Sequence, residues 1–252
     1  MCIRDSSLTY YYLAKDAGTY MYHCHVEATE HMQMGMLGNL WVRPRQNKLP
    51  DDTDLNGFTH QTGFTYAYND GDGSTRYDVE YPIQIGSFDP DFHDASFEVQ
   101  PLPFAAMEDR YFLLNGRGYP DTVNAGVIST VDPLGAVQES QPVTSLVTAN
   151  PGEKILLRIS NLNVTVFNTL ATNGPPMLVV GRDARLLRDG AGANMYYSTN
   201  SLTLGGGQSA DVIIDTTGLT SGQTFFLYTT NLDRLANDDE NFGGMMTEIR
   251  IN

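Results

Sequence analysis

Residues Thr19 to Val42 read TYMYHCHVEATEHMQMGMLGNLWV. Three of the chain's five histidines fall in this stretch, around a single cysteine. Thr19 to His25 reads as a strand entered from the turn Ala17-Gly18, and Leu37 to Val42 as a second strand stopped by Arg43-Pro44. Along a strand, side chains alternate faces. Cys24 is therefore expected to point one way and His23 and His25 the other, so that one short strand can serve two metal centres. The loop then returns His31 and, five residues later, Met36. A thiolate, an imidazole and a weak thioether are the donors of a blue-copper electron-transfer site, which takes one more histidine. Two alternatives stand beside copper. Zinc has no use for a Met and usually takes a second Cys nearby. A core thiol with surface histidines would need no metal.

Around this block the composition narrows the class. The chain has 252 residues, with 15 basic and 30 acidic side chains and a net charge of -15. Such acidity leaves no footprint for nucleic acid or anionic lipid. No apolar run reaches the ~18 residues of a membrane-spanning helix. The 24 glycines, 14 tyrosines and 11 phenylalanines suit β structure. Further strands are expected at Arg76 to Ile85, Lys154 to Ile159, Pro176 to Val180, Ala210 to Ile214, Thr224 to Tyr228 and Met246 to Ile251. Helical periodicity shows only within His25 to Met36. The expected class is all-β, built as a sandwich.

The HCH block resembles the copper motif of the multicopper oxidase family. That motif is HCH, three residues, H, three residues, then G followed by Leu or Met; here the first gap is five, while the second gap and the ending match. Tyr81 to Asp94, Phe112 to Thr122 and Pro176 to Leu187 look like segments of the family's middle cupredoxin domain. The resemblance implies that Cys24, His31 and Met36 bind type 1 copper and that His23 and His25 bind the type 3 pair of a trinuclear cluster. It implies a cupredoxin-like Greek-key sandwich and an oxidase that takes electrons from a small reducing substrate or metal ion and reduces oxygen to water. Nitrite reductases carry one cluster-side histidine beside the cysteine, whereas this chain has two. The alternative is an electron-transfer cupredoxin module without oxidase activity. Family members are usually exported, so a periplasmic or extracellular setting is implied, and an oligomer is compatible with it.

The domain expectation follows from the same segments. The opening MCIRDSS has no basic region, apolar region or cleavage site, so it is not a signal peptide. It looks like translated adapter sequence, so residues 1–7, including Cys2, are set aside. Residues 8–45 are then the C-terminal part of a copper-binding cupredoxin domain, truncated upstream. Residues 46–76 are a linker and hairpin, and 77–252 a complete second cupredoxin-like module without copper ligands. An internal repeat supports this division. Tyr20 to His25 aligns with Phe226 to Asn231, and Gly35 to Val42 with Gly244 to Ile251. Superposition is expected to place Thr230 on Cys24 and Met245 on Met36.

Lesser features carry bland expectations. His60 and His93 are isolated and are expected to be surface or core-satisfied imidazoles. Met32, Met34 and Met36 alternate and suit adaptable packing, with Cu(I) affinity as the alternative. Asp70-Gly-Asp-Gly73 lacks the spacing of a calcium loop and reads as a hairpin turn. Asn163-Val-Thr165 is a formal glycan acceptor, and Gly205 to Gly207 a turn.

Overall fold

The computed structural model describes residues 9–98 and 101–252. Met1 to Ser7, and with them Cys2, lie outside the described residues. The main body is two packed sheets. One runs in spatial order Arg185–Leu186, Met177–Arg182, Gln208–Asp215, Lys154–Asn161, Val79–Phe88 and Tyr111–Leu114, with Tyr197–Thr199 also paired to Met177–Arg182. The other runs Val147–Ala149, Met246–Ile251, Thr224–Thr229, Asn168–Thr172 and Ser201–Leu204. The all-β sandwich is thus present, with two corrections to the expected strands: Arg76 to Ile85 is split, Arg76–Tyr77 pairing in a hairpin outside the sandwich and Val79–Phe88 inside it, and the strand expected over Thr19 to His25 ends at His23.

Lys154–Asn161 shows why the sheets stack. It pairs in parallel with Val79–Phe88 and antiparallel with Gln208–Asp215, so both its edges are hydrogen-bonded, and its two faces are buried in separate side-chain clusters. Ile155, Leu157 and Ile159 face inward and pack with Ile83, Val212 and Leu227 in the inter-sheet core. Leu156 faces outward into a second buried cluster with Ala67, Tyr68, Tyr77 and Ile213. Tyr66, Ala67 and Tyr68 belong to the hairpin Thr65–Tyr66 with Arg76–Tyr77, so the segment before the sandwich packs onto its outer face. The Asp70 turn is held internally. Its carboxylate accepts from the backbone N–H of Asp72, Gly73 and Thr75, from the Thr75 hydroxyl and from Gln46 Nε2.

β1 (Gly18–His23) and β2 (Leu37–Val42) form a separate antiparallel ribbon in which His23 pairs with Leu37. Between them lies α1 (Ala28–Gln33). The ribbon docks on the outer face of the larger sheet, where Arg158 and Ser160 emerge. Thr19 Oγ1 donates to Asp211 at 2.5 Å, Ser209 Oγ to the Thr19 carbonyl at 2.8 Å, and Ser160 Oγ to Asn39 at 2.6 Å. Asp211 also accepts from Tyr68 and pairs with Arg158 at 3.2 Å, and Arg158 reaches Glu80 at 2.9 Å. Arg158 and Asp211 are both fully buried.

The repeat needs one correction. Thr224–Thr229 and Met246–Ile251 do form a second antiparallel hairpin. In β1–β2 the Cys24 N–H donates to the Met36 carbonyl, whereas in the second hairpin Thr229, not Thr230, donates to Met245. Matched on the methionines, Thr229 therefore stands where Cys24 stands, one residue earlier than the sequence alignment places it. Burial explains the slip. Leu227 and Thr229 must both face the sandwich interior, and a strand's register follows its buried face. Met245 is wholly inside the inter-sheet core, where it packs as an apolar side chain.

Candidate metal centre

α1 and its flanks bring the HCH block and the methionine together through backbone geometry. Glu27 takes a left-handed conformation (φ 52°), which turns the chain out of the strand direction and into α1. Gly35, with φ 78°, ends the helix. There the Met36 N–H donates to the His31 carbonyl at 2.9 Å and the Gly35 N–H to the Met32 carbonyl at 3.0 Å, a Schellman closure. The Cys24 N–H donates to the Met36 carbonyl at 3.0 Å. The backbones of Cys24, His31 and Met36 are thus joined in sequence by two hydrogen bonds. Gly35→Ala places a side chain in the left-handed region with open space around it. The expected cost is about 1 kcal/mol of stability in urea unfolding, because the penalty is conformational and not steric.

The side chains divide as expected, although β1 ends at His23 and Cys24 and His25 follow it. Cys24 Sγ lies 3.0 Å from His31 Nδ1. The His23 and His25 rings lie beside each other instead, with centroids 5.3 Å apart. The His23 Nδ1–H donates to the Cys24 carbonyl at 2.8 Å, which leaves Nε2 with its lone pair. A second hydrogen bond of this kind to a backbone carbonyl is how a metal-binding imidazole is usually oriented. His23 also lines a cavity of about 410 Å³ with Met32 and residues 162–167. His25 and Met36 are exposed, and Cys24, His23 and His31 are half-buried.

These groups fit copper in kind: a thiol against an imidazole, a thioether on the same closed loop, and two further imidazoles on the opposite side. They do not complete a site. Among the described residues no three His, Cys, Asp or Glu side chains converge as a metal cage. The two remaining histidines are engaged elsewhere, although the buried His60 is satisfied at Nδ1 only and its Nε2 has no hydrogen-bond partner among the described residues. His60 is buried with Nδ1 2.9 Å from the Tyr66 hydroxyl. His93 Nε2–H donates to the Gln33 carbonyl at 2.8 Å, and its ring lies 4.8 Å from that of Phe88. Asn163 is buried and its amide donates to Ser87 Oγ, so the sequon reading fails.

Sequence reasoning passed over Gln33, which lies between His31 and Met36 and is the one buried residue of α1. No motif marks it. Its burial arises only because the helix packs against α2 (Pro90–Ala95) and the segment that follows.

A family model described as multicopper oxidase matches residues 92–243, and a second multicopper oxidase model matches residues 3–46. No curated protein matches the chain. Among solved structures, the blue copper oxidase from Nitrosomonas europaea superposes with a TM-score of 0.63 at 18% identity, over 94% of this chain and 57% of that one. A laccase from Botrytis aclada gives 0.53 at 16% identity, over 94% of this chain and 35% of that one. A copper-containing nitrite reductase from Thermus scotoductus gives 0.55 at 15% identity, over 95% and 42%. At these identities the likeness is one of fold. The chain spans little more than half of the first of these proteins.

Proposed function

This chain belongs to the multicopper oxidase family, and on that premise we propose that it carries part of an oxidase's copper machinery, with Cys24, His31 and Met36 on the type 1 side and His23 and His25 on the trinuclear side. The observation that carries this reading is the division of the block: Cys24 meets His31, while His23 and His25 lie beside each other. Bound copper would supply one-electron oxidation of a small reducing substrate or metal ion on the Cys24 side and reduction of oxygen to water on the histidine side. The chain's own part is orientation. The Cys24 peptide lies between the two sides, and its carbonyl fixes the His23 tautomer. The loop closure sets the spacing of His31 and Met36.

The division into 8–45 as a copper-binding part, 46–76 as a connecting hairpin segment and 77–252 as a copper-free module belongs to the same reading. So does a periplasmic or extracellular setting, which rests on family likeness. Among the described residues no helix is long and apolar enough to cross a membrane. An electron-transfer module without a cluster is the competing reading. It gives no reason for two paired histidines on the side away from the thiol.

Only five histidines are available, and two of them are held by Tyr66 and Gln33. A type 1 site and a trinuclear cluster together need more. The 252-residue chain, loaded with copper, is therefore expected to bind metal through Cys24 yet to consume no oxygen above free copper when given a reducing substrate. Oxygen electrode traces and metal analysis on the same sample test this. Steady oxygen uptake with strong blue colour would mean that the missing donors come from within the chain or from a second copy.

A further inference from the structure

Gln33 is 3% exposed, although it sits on a six-residue surface helix. Its Nε2 donates to Asp109 Oδ1 at 2.8 Å and to Met107 Sδ at 3.3 Å, and its Oε1 accepts from the Asp89 N–H at 3.0 Å. Its carbonyl takes the His93 imidazole. A buried carboxamide with both ends satisfied is a costly and directional anchor, because each group left unpaired would carry its full desolvation cost. Asp109 is the other end. Its Oδ2 accepts from Ser87 Oγ at 2.5 Å and from the Thr165 hydroxyl, and Ser87 accepts in turn from Asn163. Thr165 and Asn163 lie on the loop that faces His23 across the 410 Å³ cavity.

One carboxylate therefore grips both sides of the HCH block: α1, which carries His31, through Gln33, and the 163–165 loop opposite His23 directly. We propose that Asp109 is a positioning residue that, through Gln33, holds His31 against Cys24. The inference rests on the assignment of His31 and Cys24 to one centre. Asp109 touches neither, so its effect must travel through the carboxamide. α1 has only six residues and is too short to hold its place alone, so its anchorage sets where His31 sits.

The test uses the full chain in a Cys2→Ser background, which leaves Cys24 as the only thiol. Five forms are compared: parent, Gln33→Glu, Asp109→Asn, the double exchange Gln33→Glu with Asp109→Asn, and Cys24→Ser as the control for the centre. Gln33→Glu places two carboxylates together, Asp109→Asn weakens the acceptor, and the double exchange restores the bond with donor and acceptor reversed. Without metal, the ¹⁵N shift of His31 Nδ1 reports its contact with the thiol. It should move in Gln33→Glu and return in the double exchange. With Co(II) alone as probe, Gln33→Glu should weaken affinity about tenfold, the usual effect of losing a ligand's supporting partner, and the double exchange should recover most of it. Circular dichroism melting checks that each form is folded. An unmoved His31 shift in folded Gln33→Glu, or a double exchange that restores neither readout, overturns the proposal. Co(II) binding that survives Cys24→Ser unchanged would instead overturn the assignment of the centre and leave the His31 shift to decide the role of Asp109.

Discussion

Cys24→Ser is expected to abolish the thiolate-to-copper absorption of the copper-loaded chain, while His23→Ala and His25→Ala each leave the band in place. The cysteine is the sole described thiol, and its sulfur faces His31 at 3.0 Å. A serine oxygen is too hard and too weakly donating to replace it at a soft site. The flanking histidines differ in kind. Their rings lie side by side away from that contact, and His23 is turned by its hydrogen bond to the Cys24 carbonyl. Removing either should lower the copper stoichiometry without removing the colour. Optical titration with metal analysis reads both quantities. If His23→Ala or His25→Ala erased the band as fully as Cys24→Ser, all three side chains would have to converge on one metal. The two-sided arrangement would then be wrong.

That arrangement was legible because it depends on a short-range rule, the alternation of side chains along neighbouring residues, although the strand itself stops at His23 and leaves Cys24 and His25 just beyond it. The central strands were legible from short apolar cores, Ile155 to Leu157 with Ile159 in Lys154–Asn161 and Val212 to Ile214 in Gln208–Asp215. Asn168–Thr172 and Ser201–Leu204 were not read as strands. Their sequences, NTLAT and SLTL, are short and half polar, and they become strands by pairing with each other and with Thr224–Thr229. The one-residue slip in the repeat has a similar cause, since sequence likeness aligns side-chain types whereas the sheet aligns buried faces. At the centre, the donors were visible as a spacing and their supports were not. Gln33, His93 and Asp109 are far apart in sequence, and nothing local shows that they meet. The buried cluster beneath β1 was equally hidden, because Thr19, Glu80, Arg158 and Asp211 come from four separate strands.

Arg158→Met should be the most damaging change outside the metal loop, with an expected loss of about 3 kcal/mol in urea unfolding. The guanidinium is fully buried between Asp211 and Glu80, and methionine can fill much of its volume. Volume is therefore not what fails. Asp211 would keep the Thr19 and Tyr68 hydroxyls as donors but would stand in the interior as an uncompensated charge. Burial together with Asp211 pushes the Tyr68 phenol upward, so it stays a donor and cannot take over the charge. Because Thr19 lies on β1, the disturbance falls on the strand that leads into His23 and Cys24. Adding Asp211→Asn removes the stranded charge but keeps an acceptor, and the double variant should regain at least about 1 kcal/mol of the loss. The pH dependence has a definite sign. Burial alone would raise the Glu80 carboxyl, but the hydrogen bonds and charges of Arg158 and Arg43 outweigh it and hold the group below its usual 4.5. A depressed folded value gives stability that is fully present above 4.5 and is lost as pH falls through the folded value. The gap between parent and Arg158→Met should therefore narrow in acid. A gap under about 1 kcal/mol at neutral pH, or one that widens below pH 4.5, would show that the cluster is not what fastens the ribbon to the sheet.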